Sequence, residues 1–186
     1  MLELERLVGD VEWAKAHRLP PRELVPMLKR LVAVAPAGSP AGRTARRDLA
    51  ELLVASHPWR AARLATEVLK GGADDRAYAV LGLAHTVLGN YRCAARAYRA
   101  ALAIAPGTAE YEHNLGHLLD VAFDQPQRAL VHLRRAFAAL PAETEVASSL
   151  AHALLRSGLE HEAAAVLESA FDGDLERVRA TLSRWA

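Results

Sequence analysis

Two histidines four residues apart, His113 and His117, form a pair that could bind a metal ion or a polar ligand. If the segment is a helix, Glu110, His113, His117 and Asp120 fall within an arc of about 80° on one face, because each residue turns the helix by about 100°. Two imidazoles beside a carboxylate form a ligand set that Zn²⁺ accepts. The same side chains also suit hydrogen bonding on a protein-binding surface, and this second interpretation is the one that we expect.

The rest of the sequence offers little to support catalysis. It contains no G-x-G-x-x-G, Walker loop, G-x-S-x-G, H-E-x-x-H or C-x-x-C pattern. Cys93 is the single cysteine, so it cannot form an internal disulfide, and no basic or histidine partner accompanies it in a motif. The sequence therefore predicts a non-enzyme with no catalytic residues and no cofactor, and it favours a reducing, cytoplasmic location.

The composition predicts that helices position these residues. Alanine and leucine, the best helix formers, account for 39 and 29 of the 186 residues, whereas aromatic residues make up 5%. We therefore expect an all-α fold. No uninterrupted apolar run approaches the roughly 18–20 residues of a membrane span. The acidic, amphipathic start of the sequence is not typical of a signal peptide, so none is expected.

An internal repeat of 34 to 35 residues organises the second half of the sequence. Equivalent positions recur three times in register: Leu81-Gly82, Leu115-Gly116 and Leu150-Ala151; Ala94, Ala129 and Ala163; Ala101, Ala136 and Ala170. Each unit contains two amphipathic patterns separated by a turn, so each predicts a helical hairpin. The small residues at fixed positions predict a close approach of the two helices, and each hairpin must hide its apolar face by stacking on its neighbours.

These residues resemble the tetratricopeptide repeat family. The family's pattern is matched at Tyr78, Leu81-Gly82, His85, Ala94, Tyr98, Ala101 and Pro106, with His85 at a position that is usually aromatic. Three repeats cover about 75–172. The resemblance implies a right-handed α-solenoid. We expect an N-terminal helical hairpin over 1–40, a degenerate hairpin over 41–74 with Arg47-Asp48 in place of Leu-Gly, the three repeats, and a capping helix over 173–186, in one continuous domain.

The resemblance also implies a concave groove, lined by the first helix of each hairpin, that binds a peptide or helix of a partner. Carried over by position, the residues lining this groove are Arg76, Val80, Leu83, Val87, Glu110, His113, Asn114, His117, Asp120, Glu145, Ser148, Ser149, His152 and Arg156. Family members that grip the carboxylate terminus of chaperones use a basic clamp, of which only Asn114 is present here. We therefore expect no chaperone-tail binding.

Charge is distributed unevenly although the net charge is +1. Residues 1–70 carry 12 basic and 8 acidic residues, and residues 71–186 carry 11 and 14. Arg43, Arg46 and Arg47 cluster on one predicted helix, which we interpret as a solvated face rather than a nucleic-acid site. Arginine supplies 20 of the 23 basic residues, which together with the alanine excess is typical of a GC-rich bacterial genome.

The sequence thus predicts a non-catalytic adaptor or scaffold that binds another protein in its groove. One alternative is a secretion or assembly chaperone of the tetratricopeptide type, and another is a metal- or ligand-binding module built on His113, His117 and His152. We expect no nucleic-acid partner. Residues 1–40 are expected to cap the stack or to supply a homodimer contact.

Overall fold

The computed structural model describes residues 2–36 and 38–185, and over these ranges the secondary structure is entirely helical, with no strand. The chain therefore has the all-α fold that its composition predicts. The helices are α1 (Leu2–Ala16), α2 (Pro21–Val34), α3 (Pro40–Leu53), α4 (Pro58–Leu69), α5 (Asp75–Val87), α6 (Tyr91–Ile104), α7 (Ala109–Val121), α8 (Pro126–Ala139), α9 (Thr144–Arg156), α10 (Glu160–Ala170) and α11 (Leu175–Trp185).

The helices divide into two compact units, Met1–Ile104 and Ala105–Ala186. In the first unit, consecutive helices pack as the hairpins α1/α2, α3/α4 and α5/α6. In the second unit, α7/α8 and α9/α10 are hairpins, and α11 packs on α10. The predicted hairpins are therefore present as local elements, whereas their grouping into one continuous domain remains a prediction.

Short polar side chains and glycines set several of the helix ends. Ser39 and Asp74 are N-caps whose side chains accept hydrogen bonds from the Gly42 and Ala77 amides, at 3.1 and 2.9 Å. At the start of α11, Asp174 is the N-cap, since Asp174 Oδ1 accepts from the Arg177 amide at 3.0 Å. Gly89, Gly107 and Gly158, each with φ between 72° and 77°, follow α5, α6 and α9.

The Leu-Gly pairs bring the two helices of a hairpin into close contact. A Cβ added at Gly82 would lie 2.7 Å from Tyr98 Cε1, and one added at Gly116 would lie 2.6 Å from Leu133 Cγ. Both distances are too short for any side chain other than hydrogen. The predicted close approach at these repeated positions is thus confirmed, and it explains why glycine follows leucine in both repeats.

The degenerate hairpin α3/α4 uses the same packing with different residues. On α3, Leu49 and Ala50 are buried in the apolar core of the first unit. Arg47 and Asp48, which stand in place of Leu-Gly in this hairpin, form ion pairs with Asp74 and Lys15. The apolar packing of α3 is provided by the neighbouring Leu49-Ala50 pair.

Candidate functional site

In the second unit, the polar side chains of α7 and α9 meet across the two helices. Ser149 Oγ on α9 lies 2.9 Å from His113 Nε2 and 3.5 Å from His117 Nδ1, so one hydroxyl bridges both histidines of α7. The two imidazole rings are 6.1 Å apart and tilted by 43°. The i, i+4 spacing noticed in the sequence therefore places both rings against the adjacent first helix.

The remaining predicted residues of the second unit lie on the same two helices. We define the α7–α9 face as the predicted residues of α7 and α9 that retain solvent access: Glu110, His113, Asn114, His117, Glu145, Ser148, Ser149, His152 and Arg156. Asn114 and Ser148 are half-buried, and Glu110 and Glu145 are exposed. The face therefore offers amide, hydroxyl, imidazole and carboxylate groups to a neighbouring molecule.

His113 is held in its neutral form. Burial lowers the pKa of the His113 imidazole below its ordinary value of 6.5, the nearby Glu145 carboxylate acts in the opposite direction, and the His117 charge lowers the pKa further. A neutral imidazole has one donor and one acceptor nitrogen, so at neutral pH His113 can bond Ser149 and still retain a second hydrogen-bonding group.

Asp120 is a buried anchor rather than a surface group. Its side chain is 1% exposed, and it accepts from His152 Nδ1 at 2.5 Å and from Arg156 Nη1 at 2.8 Å. The same Arg156 nitrogen donates to the Asp120 carbonyl at 2.6 Å, and the other terminal nitrogen pairs with Asp124. The prediction that Asp120 lines the groove is therefore corrected: its carboxylate positions His152 and Arg156.

The three histidines proposed as metal ligands are not brought together. His113 and His117 share Ser149, whereas His152 bonds Asp120 and lies against the Trp185 ring, with centroids 5.5 Å apart. Within residues 2–36 and 38–185, no group of three or more histidine, cysteine, aspartate or glutamate side chains is placed to hold a metal ion. The geometry gives the metal hypothesis no ligand set.

In the first unit, α5 presents an apolar pair and one cation. Leu83 and Val87, one helical turn apart, are 37% and 53% exposed. Val80 is only 5% exposed and belongs to the core of this unit, so its predicted role as a groove contact is corrected. Arg76 binds both oxygens of Glu51 on α3, at 3.0 Å from Nε and 2.6 Å from Nη2.

An ion-pair ladder along the first helices of this unit was not predicted. Lys15 on α1 lies 2.7 Å from Asp48 on α3, and Asp48 lies 3.7 Å from Arg76 on α5. Asp48 is 6% exposed, which accounts for the surrounding cations, because a buried carboxylate requires compensation. The three residues lie at unequal spacings in the sequence, so the repeat pattern carries no signal for them.

The arginine cluster of α3 is structural. Arg43 donates to the Gly71 carbonyl at 2.6 Å, and Arg47 pairs with Asp74 at 3.0 Å. Arg46 is 8% exposed, donates to the Gly42 carbonyl at 2.8 Å and lies 3.5 Å from Glu67. The interpretation of these residues as a solvated face was therefore wrong, since each guanidinium group bonds within its own unit.

A second buried carboxylate joins the helices of the α7/α8 hairpin. Glu112 is 3% exposed, and its two oxygens accept from His132 Nδ1 at 2.5 Å and Arg135 Nη1 at 3.3 Å. Glu112 lies on α7 but is turned toward α8, away from the set of predicted groove residues. It therefore ties α7 to α8, whereas Ser149 contacts α7 from α9.

Comparison with known proteins gives a likeness of fold. No family model and no curated protein matches the sequence. Solved structures of MamA, a tetratricopeptide-repeat protein, do match. A structure titled MamA 41-end from Desulfovibrio magneticus RS-1 has a TM-score of 0.74 at 18% identity, covering 93% of this chain and 96% of that one. Another, titled Crystal structure of MamA protein, has a TM-score of 0.72 at 17% identity, covering 96% of both chains.

These structures share the helical-repeat architecture of this chain. Over the part of the chain that is described, no helix is long and apolar enough to cross a membrane. The resemblance seen in the sequence is therefore confirmed at the level of architecture: the chain has the fold of a tetratricopeptide-repeat protein.

Proposed function

We propose that this protein is a non-catalytic scaffold that binds a peptide or helical segment of another protein on the first helices of its hairpins. The α7–α9 face is the principal contact surface in this proposal. Binding there would use hydrogen bonds from His113, Asn114, His117 and Ser148, as in other modes of segment recognition that combine a fixed helical surface with a few polar contacts.

The observation that carries the proposal is the bridge from Ser149 to His113 and His117. A single hydroxyl holds two imidazoles in place while leaving each ring with a second nitrogen for a ligand. Side chains that are already ordered lose less conformational entropy when a partner binds, so more of the contact energy contributes to affinity. The bridge is thus a preorganised set of hydrogen-bonding groups.

Buried anchors on either side of the face support the same interpretation. Asp120 fixes His152 and Arg156 by accepting their hydrogen bonds, and Glu112 ties α7 to α8. Both carboxylates are nearly inaccessible, so their role is to position neighbouring groups. A surface built in this way presents a defined pattern of donors and acceptors, which favours selection of a particular partner sequence.

The exposed pair Leu83 and Val87 on α5 is a separate apolar patch of the first unit. Apolar side chains at i, i+4 on a helix suit contact with an aliphatic or aromatic side chain of a bound segment. We propose that this patch is an apolar contact surface of the first unit in its own right.

A phage-displayed library of random peptides, selected against the full-length protein, tests the proposal. Peptides that bind the wild type should bind the Asn114→Ala/His117→Ala variant about tenfold more weakly, because two hydrogen-bonding groups are lost. Arg134→Ala is the control, since Arg134 lies on α8 in an exposed pair with Glu162 and its loss should leave affinity unchanged.

The proposal fails if the selection yields no binding peptide, or if the peptides bind the double variant as tightly as the wild type. An equal loss of affinity in Arg134→Ala would also contradict it, because binding would then not depend on the α7–α9 face. Circular dichroism of each variant should give the wild-type helix content, which separates loss of contact from loss of fold.

A further inference from the structure

The last described helix, α11, reaches one end of the α7–α9 face. The indole ring of Trp185 meets the His152 imidazole edge-on, with ring centroids 5.5 Å apart and planes inclined by 79°. Edge-to-face geometry of this kind is an attractive aromatic contact. One of the side chains proposed to meet a partner is therefore already covered by a residue of the chain itself.

The rest of α11 is held to the second unit by few apolar contacts. Along Leu175–Trp185, Val178 is the one fully buried side chain, and Leu175 is 51% exposed. A cavity of about 640 Å³ remains between α11 and the α9/α10 hairpin, lined by Leu155, Arg156, Glu160, Arg179, Leu182, Ser183 and Trp185. Packing beneath α11 is thus incomplete in a unit whose other helices are closely packed.

Residues 171–174 form the short link between α10 and α11. Asp172 and Gly173, between α10 and α11, both have positive φ angles, 52° and 79°. The N-cap Asp174 bonds the Arg177 amide, so the helix carries its own start signal and does not depend on α10 for it. A rotation of α11 about this link would leave the Asp174 cap of the helix intact.

We propose that α11 is a displaceable strap over the α9 end of the α7–α9 face: it closes on His152 in the free protein and leaves when a partner segment engages. The inference rests on the proposed function, because it concerns regulation of that same face. The displacing segment carries an aromatic side chain that takes the place of Trp185 against His152. The helix α11 and the partner segment therefore compete for the same contact with His152.

Competition of this kind sets a measurable effect. A ligand that binds only the open form shows an apparent dissociation constant equal to the intrinsic value divided by the open fraction. Removing the contact that favours the closed form raises the open fraction and tightens binding. The loss of one aromatic pair corresponds to about a fivefold gain in affinity when the closed form predominates.

The test compares full-length wild-type protein with Trp185→Ala and Arg184→Ala. Peptides recovered from the random library are titrated against all three proteins, and both variants are checked by circular dichroism. Arg184 is the neighbouring, exposed residue of the same helix, so its replacement controls for a general change in α11. We expect Trp185→Ala to bind the peptides about fivefold more tightly and Arg184→Ala to match the wild type.

The outcomes separate the two proposals. Unchanged or weaker binding by Trp185→Ala, with peptides that depend on Asn114 and His117, would overturn the strap and leave the proposed function standing. Equal gains in Trp185→Ala and Arg184→Ala would also overturn it, since the contact with His152 would not be responsible. If selections against both wild type and Trp185→Ala recover no peptide, the proposed function fails and the strap fails with it.

Discussion

Asp120 on α7 accepts hydrogen bonds from both His152 and Arg156 on α9, at 2.5 and 2.8 Å, although its own side chain is 1% exposed. This arrangement joins the first helices of two successive hairpins through one buried carboxylate. It also orients two of the residues that we propose to meet a partner. The stability of the second unit and the geometry of its proposed binding face therefore depend on the same residue.

Replacing Asp120 by Asn should destabilise the protein by about 1–3 kcal/mol, because Arg156 and His152 would lose a charged acceptor in a buried position. Urea unfolding followed by circular dichroism measures the change. Asp124→Asn is the matched control: Asp124 also pairs with Arg156, but it is 82% exposed and asparagine tolerates its positive φ. That variant should change the free energy of unfolding by less than about 0.5 kcal/mol. Equal effects of the two changes would show that the buried carboxylate is not an anchor.

Gly82→Ala should lower stability by roughly 1–3 kcal/mol, because the new methyl group would lie 2.7 Å from Tyr98 Cε1 and would separate α5 from α6. Gly9→Ala is the control in the same unit, since nothing lies within 4 Å of a Cβ at that helical position. It should stabilise the protein by up to about 1 kcal/mol, because alanine is the better helix former. Thermal unfolding of both variants gives the comparison, and a neutral Gly82→Ala would refute the close contact.

Lowering the pH should destabilise the protein through His113. Burial depresses the folded-state pKa of His113 below its ordinary value of 6.5, so below pH 6.5 the unfolded chain binds the proton more readily than the folded one. The stability that His113 contributes is thus fully present above pH 6.5 and is lost as the pH falls toward the folded-state pKa. His113→Gln should flatten this dependence in urea unfolding between pH 5 and 7.5. A variant with the same pH dependence as the wild type would show that His113 is not its source.

Raising the pH should destabilise the protein through Tyr98. Burial raises the pKa of the Tyr98 phenol to about 12, although its hydrogen bond with Thr86 acts in the opposite direction. Above its ordinary value of 10, the unfolded chain loses the phenol proton before the folded one does, so stability falls as the pH rises through that range. An ultraviolet titration should show a phenol ionising at about pH 12 that is missing in Tyr98→Phe. A phenol that ionises near pH 10 in the wild type and is missing in Tyr98→Phe would contradict the burial of Tyr98.

The repeated features of the fold could be predicted because the same residue types recur in the sequence at a nearly constant interval. Gly82 against Tyr98 and Gly116 against Leu133 occupy equivalent places, and the 34-residue interval makes the pair visible. The tight packing of small residues leaves few other choices at such positions, so pattern and structure agree.

Features that occur once could not be predicted in this way. Asp48 is buried between Lys15 and Arg76, and these three residues come from three different helices at unequal spacings. Asp120 has the sequence pattern of an exposed polar residue on α7. Its burial is favourable because Arg156 and His152 of α9 bond its carboxylate. Side-chain burial of a charged group depends on partners brought by the fold, and periodicity within one helix does not record them.

Chemical-shift mapping by NMR shows directly whether a bound peptide contacts the α7–α9 face. Isotope-labelled full-length protein is titrated with a peptide recovered from the library, and the backbone and imidazole resonances are followed. We predict that the largest shifts fall on His113, Asn114, His117 and Ser148, with those of Arg134 and Glu162 on α8 and α10 unmoved. Chemical-shift changes concentrated on α8 and α10, with the α7–α9 face unaffected, would contradict the proposed contact surface.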